Sequence, residues 1–174
     1  MRILALDPGA SFGWAISYVT EVQVVWDLAP YFQPNYMVKI GDARCMCGAW
    51  QIGDVLDPRE RLCLLERLIR SQRDVKLIAY EVAPGLKGRA LFWHLKYLAC
   101  AELASYKMNI QLDSVNASVW KKYSCANARA TKDSIHEQSR ERFGLPIDAP
   151  QDAADALHIL NWSLQLAAVK AAVA

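Results

Sequence analysis

The segments RILALDPG (residues 2–9) and VKLIAYEVAPG (residues 75–85) share one grammar: an apolar run of strand length, an acid at its end, then Pro-Gly. Such runs read as buried central strands that deliver Asp7 and Glu81 at their C-terminal ends. Asp before Pro-Gly is also ordinary turn chemistry, because the carboxylate accepts local backbone bonds and glycine supplies unusual dihedrals. What distinguishes a site from a turn is whether other acids reach the same edge, which in open α/β sheets is where ligands bind.

The rest of the chain predicts how those strands are housed. WAISYV (14–19) and VQVVWDLA (22–29), β-branched and aromatic around a polar join at Thr20-Glu21, predict an antiparallel meander beside the first strand. From Pro30 to Asp54, two prolines, scattered aromatics and the cysteine-rich ARCMCGAWQIG predict strand ends and a long loop. Asp57 caps a helix with Pro58 at its first position and apolar residues at spacings of three and four through residue 72. A second helix is predicted over 89–107 and a further strand over 109–115. Asn116 caps a short helix over 117–123, Thr131 caps one over 132–143 that stops at Gly144, and a last helix starts near Gln151. The order predicts an α/β fold, an antiparallel meander continuing into parallel strands flanked by helices, in one domain spanning 1–174.

Composition narrows the classes. With 174 residues and 53% hydrophobic content the chain can bury a full core. Five cysteines, an odd number, several inside predicted helices or strands, point to a reduced, cytoplasmic chain. Cys45-x-Cys47 has no second pair or Cys/His partner at finger spacing and is not expected to hold zinc. No signal core and no apolar stretch of roughly 18 residues is present, so no membrane span is expected. A net charge of +2 is too mild to indicate nucleic acid by itself, so charge placement has to carry that case.

Two more acids have informative addresses. Asp152 and Asp155 in QDAADALHIL lie three apart in the first turn of the last helix and therefore share a face. Acids there also oppose the helix dipole, so the pair alone does not mark a site. Four carboxylates at one point repel and call for cations. Hard ions such as Mg²⁺ take carboxylate oxygens, and two of them about 4 Å apart can activate water and stabilise a leaving phosphodiester oxygen. His158, one turn beyond Asp155, is expected to pack or to support the site rather than to ligate.

With ALDPG at Asp7, IAYE at Glu81 and PQDAADAL at Asp152 and Asp155, in that order, the chain resembles the RuvC-type Holliday junction resolvases of the RNase H-like superfamily, in particular divergent phage-type members. The resemblance spans nearly the whole chain and is thin between about Pro30 and Asp57. It implies an RNase H-like nuclease fold in which Asp7, Glu81, Asp152 and Asp155 hold two Mg²⁺ ions, with Mn²⁺ able to substitute. It also implies a homodimer that nicks a four-way DNA junction symmetrically. Lys121 and Lys132 fall in the family's places for basic residues, Lys132 as a catalytic one.

Lys87 and Arg89 after Glu81, and Lys121, Lys122, Arg129 and Lys132 before the last acids, would then contact DNA phosphates. The family's aromatic wedge in the loop after Glu81 is missing. Pro84 stands there, with Leu86 the nearest large apolar side chain. Two alternatives remain open: an RNase H-like nuclease acting on other branched DNA or on RNA/DNA hybrids, and a junction-binding module without catalysis.

Overall fold

The computed structural model describes residues 1–9, 12–18, 35–50, 57–72 and 74–173. Six strands, β1 (Arg2–Pro8), β2 (Phe12–Ser17), β3 (Asn35–Ile40), β4 (Ala43–Trp50), β5 (Val75–Val82) and β6 (Gln111–Asn116), form one sheet. Its order is β3-β4-β2-β1-β5-β6, antiparallel from β3 to β1 and parallel from β1 through β5 to β6. The described residues also form five helices: α1 (Pro58–Ser71), α2 (Gly88–Met108), α3 (Ala117–Cys125), α4 (Lys132–Phe143) and α5 (Gln151–Val173). This is the mixed sheet flanked by helices that the pattern of strands and helices predicts.

Helix boundaries follow their caps closely. Asp57 accepts from the Arg59 amide at 2.7 Å, Asn116 from Ser118 at 2.9 Å and Thr131 from Ser134 at 3.3 Å. Gly144 ends α4 in the left-handed conformation at φ +74, where a glycine carries no Cβ penalty.

The predicted loop over residues 30–54 is corrected within the described residues, since 35–50 form a hairpin turning at Gly41-Asp42. The predicted strand over 22–29 lies outside the described residues. β4 escapes a propensity reading because its inward positions are Ala43, Cys45, Cys47 and Ala49, small side chains without β-branching. Their size is needed there, because β4 packs under α5. Burial raises the Cys45 thiol to about 11 and pushes that of Cys47 up further, and both pack as core residues.

Strand alternation sorts the sheet into two faces. Leu4, Leu6, Trp14, Ile16, Ile78 and Tyr80 pack with α1 and α2, whereas Ile3, Ala5, Ala15, Leu77 and Ala79 pack with α3, α4 and α5. Asp7 extends the series Ile3, Ala5, and Glu81 extends Leu77, Ala79. Both acids therefore belong to the α5 face. Parallel pairing of Ala5 with Ala79 sets them level on neighbouring strands.

Candidate active site

The acids meet where the parallel strands end. Asp7, Asp152 and Asp155 each offer an oxygen within 4.8 Å of the others. Glu81 lies outside that triplet, yet its charge is the strongest of those acting on Asp7. Its Oε2 accepts a 2.5 Å hydrogen bond from the Trp120 indole. Gln151 donates to Asp155 Oδ1 at 3.2 Å.

Two residues that the sequence pattern does not single out make this convergence possible. Gly13, paired with Asp7 across β1 and β2, lies against the first turn of α5. A Cβ placed there would stand 2.0 Å from the Asp152 carbonyl oxygen and 2.6 Å from its carbon. The absence of a side chain at Gly13 is what lets α5 settle on the strand end. Trp120, buried on α3, is the other, because its indole holds Glu81. A Gly opposite a strand-end acid is a signal that sequence offers; a buried indole reaching 39 positions back is not.

Electrostatics show how uncomfortable the cluster is. Burial, followed by the charges of Glu81, Asp155 and Asp152, holds the Asp7 carboxyl well above the usual carboxylate range, with Lys121 pulling the other way. Burial also lifts Glu81 to about 7, and the Trp120 bond and Lys121 oppose that rise while Asp155 adds to it. Asp155 is raised by burial first and by Asp152; Gln151, Lys121 and Lys132 counter it. Hard oxygen donors gathered where their own charge is disfavoured fit a divalent cation of the Mg²⁺ class.

The remaining expected residues are distributed around this edge. Lys121 sits half-buried, its ammonium 5.3 Å from the Trp120 ring centre. Lys132 is exposed at the start of α4 and near enough to lower Asp155. Lys87 and Arg89 are exposed at the start of α2, Lys122 on α3 and Arg129 in the turn before α4. Leu86 is half-buried. His158 is fully buried, with its ring stacked on Trp120 at 6.0 Å and its Nε2 3.2 Å from the Ile135 carbonyl, so Nε2 carries the proton as donor. Burial lowers its pKa to about 4, and it packs as a neutral ring.

The fold is RNase H-like, a mixed α/β sheet with acids at its parallel end. Within it, the chain has the fold of RuvC. The structure of Thermus thermophilus RuvC matches with a TM-score of 0.64 at 16% identity, over 92% of each chain. T. thermophilus RuvC in complex with Holliday junction substrate matches at 0.69 and 15% identity, over 92% of this chain and 91% of that one. No protein-family model and no curated protein matches the sequence.

Two outcomes follow from the packing and the charge. Gly13→Ala must push α5 away from β2, and overpacking of this kind costs about 1–3 kcal/mol. The variant should melt several degrees lower and bind Mn²⁺ more weakly by electron paramagnetic resonance; an unchanged melting temperature and affinity would contradict the contact. Glu81 holds its proton more tightly in the folded state than its ordinary 4.5, so its penalty is absent below about pH 4.5, grows through about pH 7 and is complete above it. In EDTA at pH 8, Glu81→Gln should therefore raise stability by about 2 kcal/mol, or some 4–8 °C for a chain of this size, and change nothing near pH 4, as calorimetry across pH will show.

Proposed function

We propose that this protein is a divalent-metal-dependent endonuclease that cuts four-way DNA junctions by paired nicks. The observation that carries the reading is the convergence of Asp7, Glu81, Asp152 and Asp155 at one edge of a RuvC fold. These four side chains would hold the cation, Mg²⁺ or in its place Mn²⁺. Bound there, a pair of such ions would supply a nucleophilic water at neutral pH and charge stabilisation for the phosphodiester.

The chain's own residues do the remaining work. Lys132, exposed and near enough to lower Asp155, would oppose charge developing on the scissile phosphate. Lys121 and Lys122 on α3, Arg129 before α4, and Lys87 and Arg89 at the start of α2 would supply the basic contacts to the phosphate backbone. Leu86, in the loop between Glu81 and Lys87, is the apolar group available to press on opened bases. Among the described residues no helix is long and apolar enough to cross a membrane.

Paired nicks need two equivalent sites, and α2 offers the face that would join two copies. Phe92, Leu95, Leu103 and Tyr106 are 53, 53, 54 and 84% exposed. With Lys96, Ala99 and Glu102 they form a stripe that reads the same in both directions about Ala99. Laid antiparallel on a second copy, Phe92 meets Tyr106, Leu95 meets Leu103, and Lys96 meets Glu102 with opposite charge. A two-fold interface requires such self-complementarity. The small side chain of Ala99 lets the two helices approach at the axis.

The purified protein should nick a synthetic immobile junction in Mg²⁺, not in EDTA, and leave linear duplex intact. Asp7→Asn or Asp155→Asn should abolish cutting by more than a hundredfold with junction binding retained, whereas Lys132→Ala should slow cutting of bound junction more than it weakens binding. Preferential cutting of flaps or RNA/DNA hybrids would move the reading to another RNase H-like nuclease, and binding without cutting would reduce it to a junction-binding module. Light scattering should show a dimer that Leu103→Glu converts to monomer and Lys96→Glu weakens, with partial recovery when Glu102→Lys is added. A dimer indifferent to these changes would place the interface elsewhere.

A further inference from the structure

Glu81 is the one acid of the four that stands outside the 4.8 Å triplet, and its carboxylate is engaged by a buried indole. Asn116 ends β6 and caps α3, so the helix starts at the same edge as the acids. One turn in, Trp120 points inward and is only 1% exposed. Its ring lies flat on His158, 18° from parallel at 6.0 Å, and His158 is fixed in turn by the Ile135 carbonyl at 3.2 Å and by the edge of Phe143 at 5.2 Å. The indole is thus clamped before it meets Glu81.

An indole N–H is a donor only, and when buried it needs an acceptor. Here that acceptor is Glu81 Oε2. Oε1 makes no hydrogen bond among the described residues, so the carboxylate has one oxygen engaged and one to spare.

We propose that Trp120 is a positioning residue for Glu81: its N–H holds one carboxylate oxygen so that the other is fixed toward the cation held with Asp7, Asp152 and Asp155. The inference rests on the metal-site part of the reading above, not on the junction as substrate. Carboxylate ligands are commonly oriented by such hydrogen bonds, and removing the partner typically costs 10–100-fold in metal affinity. An unrestrained glutamate with three side-chain torsions would instead have to lose that freedom when the cation arrives. His158 has a part in this as the floor that keeps the indole plane in place.

The test replaces the donor and keeps the shape. Trp120→Phe preserves an aromatic ring on His158 and lacks the N–H. Site-specific incorporation of 3-benzothienylalanine at position 120 keeps the full bicyclic outline with sulfur in place of N–H. Mn²⁺ binding is followed by electron paramagnetic resonance in DNA-free protein, with thermal melts alongside. The Mg²⁺ dependence of single-turnover junction cutting gives a second, independent readout.

Both variants should bind Mn²⁺ about tenfold more weakly or worse, with the isostere melting within a few degrees of wild type. The Mg²⁺ concentration for half-maximal cutting should rise by a similar factor, and the rate at saturating Mg²⁺ should return to within about threefold of wild type. Wild-type Mn²⁺ binding by the isostere would overturn the proposal, even if Trp120→Phe binds weakly, because only packing would then have mattered. A wild-type protein that binds no Mn²⁺ would overturn it too. If wild type binds Mn²⁺ but cuts no junction, the nuclease reading fails, while weakened Mn²⁺ binding by both variants would still sustain the role of Trp120.

Discussion

The carbonyl of Asp152 occupies the space where a side chain on Gly13 would be. That close approach sets the depth at which α5 lies on the sheet. It is continued inward by small residues on both partners: Ala5, Ala15 and Ala79 on the strands, and Ala153, Ala154 and Ala156 on the helix, all buried. Interiors are close-packed, so a helix cannot be lowered onto a sheet at one end only. The acids come together as a consequence. Asp7 is at its position by strand parity, and Asp152 and Asp155 descend to it because nothing between the backbones holds them off.

A cluster formed this way works against the fold that makes it. Asp7, Glu81 and Asp155 are all displaced upward, burial being the first cause for each. In the metal-free protein each charge is therefore tolerated rather than stabilising. Lys121 opposes the rise at all three of these acids, behind the Trp120 hydrogen bond at Glu81 and the Gln151 hydrogen bond at Asp155. A sheet covered on both faces, with one core against α1 and α2 and a second against α3, α4 and α5, has enough buried apolar surface to carry such a site. Local strain of this kind is characteristic of places where a protein is built for something other than its own stability.

The sequence is legible where a local rule acts alone. Capping by Asp57, Asn116 and Thr131 places the starts of α1, α3 and α4, and the left-handed Gly144 places an end, because each depends on a few adjacent residues. The four acids are legible for a related reason: two sit at strand ends and two share the first turn of a helix. β4 was illegible because its composition answers to α5, a partner about a hundred residues away, and small buried residues resemble loop in a propensity reading. Trp120 was illegible as well. Its bond to Glu81 spans β5 to α3, and no periodicity or motif announces which of six tryptophans will face an acid.

α3 has an importance out of proportion to its nine residues. Trp120 is turned into the core and tied to Glu81; Lys121, the next residue, projects its charge toward the acids; Lys122 and Tyr123 are exposed. A rigid helix cannot rotate one of these side chains without displacing the others, since its backbone is fixed by the Asn116 cap at one end. At the other, Ser124 is held by Asn161 at 3.0 Å, and its carbonyl accepts from Arg142. The residue bonded to Glu81 and the exposed residues beside it are therefore mechanically one unit. Whatever seats on the outer face of α3 is in register with Glu81, because the same short helix carries both sets of contacts.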